Sequence, residues 1–322
     1  MIEIVNLTKK YGPNTAVNNI SFTVNDGEIM GFLGPNGAGK STTMNILTGY
    51  LSATDGKCLI SGVDILESPI EAKKKIGFLP ELPPLYLEMT VLEYLNFVYD
   101  LKKCTLNRKK HIAEICEVIK ITDVAHRLIG NLSKGYRQRV GIAQALIGNP
   151  EVLIFDEPTV GLDPMQIIEI RNLIRSLGKN HTVILSTHIL PEVQAVCDRI
   201  VVINKGDIVA NMSAEELSDL SNSSGRYRLR ISGNSQEILA TLRSVDGVIK
   251  AEKLVLETGE TDVSEFLVEC ENDKGIRKKV FYALAEKDMA ILSFEGEHLS
   301  LEDIFISLVE KGKNDASKGG NE

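Results

Sequence analysis

The sequence predicts an α/β fold, a mixed sheet core with a helical insertion, followed by a small α+β domain. Three observations carry this expectation. Short apolar runs broken by Gly, Asn and Asp fill the first 80 residues, as strands joined by tight turns do. From Thr90 to about Ile147 the apolar period becomes helical, after which strand, helix and strand alternate in the order that builds a parallel sheet. Beyond a Ser, Asn and Gly rich stretch at 218–225, the pattern runs strand, helix, strand, strand, helix, strand.

Taken in order, strands are expected at Met1–Val5, Ile20–Val24, Ile29–Leu33, Cys58–Ile60 and Ile76–Leu79, with Asn25-Asp26-Gly27 as the turn between the second and third. Thr90 and Glu93 form a capping box ahead of Val91, Leu92, Tyr94, Leu95 and Val98, which opens a helical subdomain at about 84–148. A helix at Arg137–Leu146 closes that subdomain. Strands return at Val152–Phe155, Val183–Leu185 and Ile200–Ile203, with a helix at Pro164–Leu177 between the first two.

After the linker at 218–225, strands are expected at Tyr227–Ile231, Ala251–Leu256, Glu265–Cys270 and Ile291–Glu295, with helices at Gln236–Ser244 and Gly275–Glu286. That is the βαββαβ order of a ferredoxin-like fold, here with an added helix at Leu301–Val309. The domains therefore read as 1–217 and 226–310, and a tail at 311–322 whose one apolar residue is Ala316 is expected to be disordered.

Composition narrows the function. A chain of 322 residues with 43% hydrophobic and 25% charged residues suits two globular domains and excludes a fibrous or disordered protein. The longest apolar stretches, such as Ile29–Leu33 and Val152–Phe155, fall far short of the roughly 20 residues that span a bilayer as a helix. Met1 to Tyr11 alternates apolar and polar residues, with Glu3 before Lys9 and Lys10, so it reads as a mature cytosolic N-terminus rather than a leader. A net charge of −8 without a basic stripe argues against a nucleic-acid partner. Cys58, Cys104, Cys116, Cys197 and Cys270 are odd in number and lack metal spacing, which fits reduced thiols.

Chemistry concentrates in four places. Gly34-Pro35-Asn36-Gly37-Ala38-Gly39-Lys40-Ser41 fits G-x-x-x-x-G-K-[ST] between an apolar strand and a helical run at Thr42–Leu47. Its glycines would let backbone N–H groups cradle phosphates, with Lys40 on the β- and γ-phosphates and Ser41 on Mg²⁺. Asp156 and Glu157 end an apolar strand at the edge where parallel sheets bind ligands. There Asp156 would bind the metal ion and Glu157 would polarise the attacking water. His188 follows a strand reaching the same edge and would hydrogen-bond the γ-phosphate and that water. The other histidines, His111, His126, His181 and His298, have no such setting and read as structural. Ser133, with Gly135, opens a helix, either as a plain N-cap or as a second anion site.

In sequence order, Tyr11, GPNGAGKST, LSKGY, FDEPTVGLDP and STH resemble the ATP-binding cassette family over residues 1 to about 215. The cassette is similar to those of exporters for drugs, polysaccharides or gliding-motility components, whose permease is a separate chain. Many of these carry a C-terminal domain ending like Ser300-Leu301-Glu302-Asp303-Ile304-Phe305. The resemblance implies a P-loop NTPase cassette that hydrolyses ATP with Mg²⁺, pairs head to tail with a second copy or a paralogous cassette, and drives an integral membrane permease from the cytoplasmic face of the membrane. Gly34 to Thr42 of one subunit would hold the nucleotide, while Ser133 and Gly135 of the other cap its γ-phosphate. Tyr11 would stack on adenine with Val17 beneath it.

Asp163 would reach across the dimer, although Asp163-Pro164-Met165-Gln166 is equally a good helix start. Two departures from the family stand out: Glu81 replaces the usual Gln as a metal-site residue, and Lys134 and Tyr136 replace Gly and Gln. Leu85, Tyr86 and Met89, within Pro83 to Phe97, suit the docking of a permease helix. The alternative is a soluble cassette ATPase serving translation, DNA repair or cluster assembly. In the second domain, Arg226, Arg228 and Arg230 alternate along one strand and present one basic face, either solvated or an anion or partner site.

Overall fold

A computed structural model describes residues 1–217, 225–254, 263–271 and 275–296. The chain divides into two compact units, Met1–Ala214 and Glu215–Glu322.

The first unit contains two sheets. One joins β1 (Ile2–Tyr11), β2 (Asn14–Val24), β4 (Asp55–Ile60) and β5 (Val63–Asp64) in the antiparallel order β2-β1-β4-β5. The other contains β3 (Ile29–Leu33), β6 (Ile76–Leu79), β7 (Val152–Asp156), β8 (Thr182–Thr187), β9 (Arg199–Asn204) and β10 (Asp207–Ser213) in the order β10-β9-β3-β8-β7-β6. Its strands are parallel except for β10, which closes the edge antiparallel to β9.

Strands β3, β7 and β8 are buried along their whole length, which explains their unbroken apolar spelling. One continuous core joins the two sheets: Ile2, Ile4, Leu7 and Phe22 from the first meet Met30, Phe32, Ile154 and Val201 from the second. The Phe22 and Phe32 rings stack at 5.4 Å. Each such side chain stabilises the fold by roughly 1.5–3 kcal/mol through burial.

Register sets the site. Leu33 lies beside Thr187, and Asp156 beside Ser186, so β3, β7 and β8 end level at one sheet edge. Helix α1 (Lys40–Leu47) leaves that edge, and α2 (Pro69–Lys74) precedes β6.

The insertion comprises α3 (Val91–Leu101), α4 (Arg108–Ile119) and α5 (Lys134–Leu146). The capping box on α3 forms as expected: Thr90 N–H donates to Glu93 Oε2 at 2.8 Å and Glu93 N–H donates to Thr90 Oγ1 at 3.3 Å. That pairing holds the Glu93 carboxyl below its ordinary range. At the far end of α5, Lys102 Nζ donates to the carbonyls of Gln144, Ala145 and Ile147 at 3.2, 3.2 and 3.0 Å, satisfying groups the helix leaves unpaired. Burial lowers that lysine to about 8. His111 Nε2 accepts from Gly148 N–H, and His181 Nδ1 lies 2.7 Å from the Pro150 carbonyl, so both histidines serve the scaffold. Helices α6 (Pro164–Gly178) and α7 (Leu190–Val196) complete this unit.

Several elements differ from expectation. β1 runs on past Val5 to Tyr11 because register shifts between Ile4 and Leu7, where Asn6 has φ of 50°, break the alternation without ending the strand. Helix α5 begins at Lys134 rather than Arg137, since Ser133 already caps it. The strands β5 and β10 and the helices α2 and α7 have no counterpart in the reading above.

The second unit holds β11 (Arg226–Ser232), α8 (Ser235–Ser244), β12 (Val248–Leu254), β13 (Val263–Cys270), α9 (Ile276–Ala285) and β14 (Ala290–Gly296). Its sheet is antiparallel, in the order β12-β13-β11-β14, which is the βαββαβ arrangement. Leu229, Ile231, Phe266 and Val268 bury one sheet face against Ile238, Leu242, Val280 and Leu284 of the helices. The basic stripe is matched by acids of the adjoining strand: Arg226 pairs with Glu269 at 2.7 Å and Arg228 with Glu265 at 3.7 Å. These cross-strand pairs offset much of the charge of Arg226 and Arg228.

Most of the linker, the helix at Leu301–Val309 and the tail at 311–322 lie outside the described residues. Among the described residues no helix is long and apolar enough to cross a membrane. All five cysteines are free.

Candidate functional site

The loop after β3 turns into α1 through Gly39, whose φ of 109° is a conformation side chains rarely adopt, and where a Cβ would lie 2.5 Å from the Ala16 carbonyl oxygen. Backbone bonds pin this loop at both ends: Gly34 N–H donates to the Thr187 carbonyl at 3.3 Å, and Gly206 N–H to that of Ala38 at 2.9 Å. Lys40, the first residue of α1, folds back over the loop. Its Nζ donates to the carbonyls of Gly34 at 2.8 Å and Pro35 at 3.3 Å.

The same ammonium lies 3.4 Å from Glu157 Oε1, and both residues are 6% exposed. A buried lysine and carboxylate are tolerated because each supplies the other's counter-charge. Glu157 itself is held at φ of 50°, a left-handed conformation costing roughly 1–2 kcal/mol. Its N–H donates to the Ser186 carbonyl at 2.9 Å, which keeps the turn in place. His188 Nδ1 lies 2.9 and 3.0 Å from the two Glu157 oxygens. A carboxylate only accepts, so Nδ1 carries the proton of this bond and Nε2 is left for another partner.

Asp156, at the end of β7, is buried, and its Oδ1 has no hydrogen-bond partner. Burial pushes its carboxyl above the ordinary range, against the opposing pull of the Ser186 and Ser41 hydroxyls and of Lys40. An orphaned carboxylate oxygen beside a serine hydroxyl is costly by itself and suits a cation. Among the described residues no three His, Cys, Asp or Glu side chains gather as a metal cage. The donor set is therefore hard oxygen and sparse, the pattern of Mg²⁺ bound partly by phosphate and water.

Lys40, Glu157 and His188 open on a cleft of about 440 Å³, lined also by Asn36, Gly37, Ser41 and Thr42 of the loop and by Glu81, while the Asp156 carboxylate is buried and is not among the lining residues. That volume falls in the usual range of small-molecule sites. Val17 is fully buried in the core, while Ala16 lines the cleft. Alternation along β2 turns Val17 inward and Ala16 outward, and Ala16 and Val160 both give the cleft apolar lining. Tyr11 stands 47% exposed with Lys9 Nζ 5.3 Å above its ring, and it is not among the residues lining the cleft.

Ser133 and Gly135 lie elsewhere. They line a second cleft of about 380 Å³ together with Tyr136, Arg139, Gln166 and Glu169, none of which belongs to the first. Ser133 Oγ accepts from Tyr136 N–H at 3.4 Å as an N-cap. A Cβ on Gly135 would lie 2.6 Å from the Gln166 side chain, so glycine lets α5 and α6 approach. Asp163 caps α6, accepting from Gln166 N–H at 2.9 Å, with Pro164 in the first turn. Lys134 reaches back to the Gly161 backbone, and the Tyr136 hydroxyl donates to Asp123 Oδ2 at 3.0 Å, which gives both unusual signature residues structural contacts.

The sequence model of the ABC transporter family matches residues 17–160. The linearmycin resistance ATP-binding protein LnrL of Bacillus subtilis is 32% identical over 321 residues, 98% of this chain and 100% of that protein. The chain belongs to the ABC transporter ATP-binding proteins. The bacitracin transport ATP-binding protein BcrA of Bacillus licheniformis is 38% identical over 219 residues, covering 67% of this chain and 71% of that one. A dimeric bacterial ABC transporter cassette superposes with a TM-score of 0.61 at 28% identity, over 66% of this chain and 99% of that one. A post-hydrolysis cassette bound to ADP and Pi gives 0.60 at 27% identity, with the same coverage.

This ABC protein is an ATP-binding subunit and hydrolyses ATP. The first cleft has parts suited to that work: a glycine-rich loop, a buried ammonium and a carboxylate in contact with an imidazole, with the orphaned oxygen of Asp156 buried on the residue before Glu157. Glu192 was invisible to motif reading because a lone acid within a short helix carries no spacing signal. It is buried and accepts from the hydroxyls of Thr159 and Thr187.

Proposed function

We propose that this ABC ATPase binds ATP with Mg²⁺ in the cleft of Lys40, Glu157 and His188, and that closure of two cassettes drives a membrane permease working as an exporter. The carrying observation is the buried Lys40–Glu157–His188 cluster beside the unpartnered Asp156 Oδ1. Gly34 to Thr42 hold the phosphates, and Lys40 exchanges its bonds to Gly34 and Pro35 for β- and γ-phosphate oxygens. Ser41 and Asp156 hold the metal ion, with Glu81 at the cleft margin reaching it or its water. When bound, Mg²⁺ neutralises charge developing on the phosphates. Glu157 accepts a proton from the attacking water, and His188 orients Glu157 through Nδ1 while Nε2 serves the γ-phosphate. Tyr11 and Ala16 take the adenine side.

Ser133, Gly135 and Asp163 sit away from this cleft, which supports a head-to-tail pair in which they complete the partner's site. The partner is a second copy or a paralogous cassette. The dimeric solved relative favours that arrangement.

A permease helix would dock in a separate groove of about 530 Å³ lined by Tyr50, Ile76, Phe78, Pro80 and Pro84. Tyr50, 78% exposed, supplies apolar surface to it. On this reading the chain works at the cytoplasmic face of the membrane through its partner. Relatives named for bacitracin transport and linearmycin resistance support export and weigh against the soluble alternative. We assign residues 1–217 to the ATPase domain and 226–310 to a module that pairs with its twin or tunes turnover.

The test is ATP turnover of the purified chain beside Glu157→Gln, together with copurification from membranes. Loss of turnover in the variant and recovery of a polytopic membrane protein support the reading. Undiminished turnover in the variant refutes the assignment of the base.

A further inference from the structure

Glu192, in α7, is 1% exposed yet lies among apolar neighbours such as Leu190 and Val193. Two hydroxyls reach it. Thr159 Oγ1, two residues beyond Glu157, donates to Oε1, and Thr187 Oγ1, next to His188, donates to Oε2 at 2.8 Å. Thr187 Oγ1 also accepts from Ile189 N–H at 3.2 Å, which fixes the turn just after His188. Arg171 of α6 stands 3.9 Å from Oε1 and offsets the charge.

Burying a carboxylate costs several kcal/mol unless its oxygens are satisfied. A position needing only apolar filling would not carry one. This carboxylate adds a buried side-chain bridge between two segments that already meet through the Glu157 N–H bond to the Ser186 carbonyl and the Glu157–His188 contact: the segment running from Glu157 through Thr159 to Asp163, and the β8 end that carries His188. Both segments present groups whose placement within about 1 Å decides the rate of a positioned reaction.

We propose that Glu192 is a positioning residue of the ATPase site, setting the distance between the Glu157 segment and His188 and tying both to the stretch that leads to Asp163. This rests on the assignment of Glu157 and His188 made above. The phosphate loop meets the bridge only through the backbone bond from Gly34 N–H to the Thr187 carbonyl, which side-chain substitutions at Glu192 and Thr159 do not remove, so nucleotide binding should survive them.

The experiment compares the full-length chain with Glu192→Ala, Glu192→Gln and Thr159→Val, each at a temperature where its melting curve shows it folded. Expected is a kcat lower by about tenfold in Glu192→Ala and Thr159→Val, with KM for ATP within about threefold, and a milder loss in Glu192→Gln, which keeps one acceptor. Combining Thr159→Val with Glu192→Ala should add little, because both cut the same bridge. Wild-type kcat in folded Glu192→Ala or Thr159→Val, or a loss that only follows the fraction unfolded, overturns the proposal. Glu157→Gln, measured alongside, separates the failures. If it is inactive while the Glu192 and Thr159 variants match wild type, the bridge alone is refuted. If it keeps full turnover, the site assignment falls and the bridge with it.

Discussion

Glu157 and His188 meet at 2.9 Å although 31 residues separate them, because β7 and β8 are neighbouring parallel strands that end level. Strand register thus builds the acid-imidazole pair that general-base chemistry needs, and the left-handed turn at Glu157 aims it at Lys40.

Replacing Glu157 with Gln keeps the shape and removes the carboxylate proposed as the base. ATP turnover should fall by roughly 10²–10⁴-fold, the usual contribution of such a group, with ATP binding retained. His188→Ala should lower turnover less, since it orients the base. Steady-state phosphate release beside equilibrium nucleotide binding checks both.

Gly39→Ala places a methyl group 2.5 Å from the Ala16 carbonyl oxygen at φ of 109°. The loop must shift, so ATP affinity should drop at least about tenfold while the fold loses only about 1–2 kcal/mol. Fluorescent nucleotide titration and urea unfolding measure the two effects separately.

Lys102→Ala removes the donor from the Ala145 and Ile147 carbonyls at the end of α5 and leaves Gln144 only the bond from Ile147 N–H. A loss of about 1–3 kcal/mol of stability is expected. Urea unfolding of the variant against the parent gives this directly.

Alkaline pH should weaken the protein. Burial, helped by Asp64, pushes the Cys58 thiol from 9.0 up to about 12, and burial beside Tyr86 raises the Tyr94 hydroxyl from 10.0 to about 12. Groups with raised folded values give their full stabilisation below the unfolded value and lose it as pH climbs to the folded one. Stability should therefore fall between about pH 9 and 12, by up to about 1.4 kcal/mol per pH unit for each such group. Cys58→Ala should make the decline shallower, read from denaturation midpoints at several pH values.

Much of the fold was legible because buried parallel strands spell themselves out. Ile29–Leu33 and Ile76–Leu79 stand where their apolar runs begin and end. The phosphate loop, Asp156, Glu157 and His188 were legible as a chemical set, each at the end of such a strand. What stayed hidden depended on contacts between distant segments. β10 mixes Asp207, Asn211 and Ser213 with Ile208, Val209, Ala210 and Met212 without a clean alternation, and is recognisable by its pairing with β9. Ala16 and Val17 differ by one step of alternation, and the shifts in the β1–β2 ladder blur that step. The arginines of β11 advertised a basic face, whereas their neutralising glutamates come from β13, some 40 residues later in the chain.

The central claim is that a complete site needs the phosphate loop of one cassette and the Ser133 helix start of another. Lys40→Ala and Ser133→Glu should each abolish ATP turnover alone, yet mixing them should restore about a quarter of the parent rate, because random pairing gives half mixed dimers with one intact site each. If the mixture stays as inactive as its parts, or if either variant alone hydrolyses ATP at the parent rate, the shared site is contradicted.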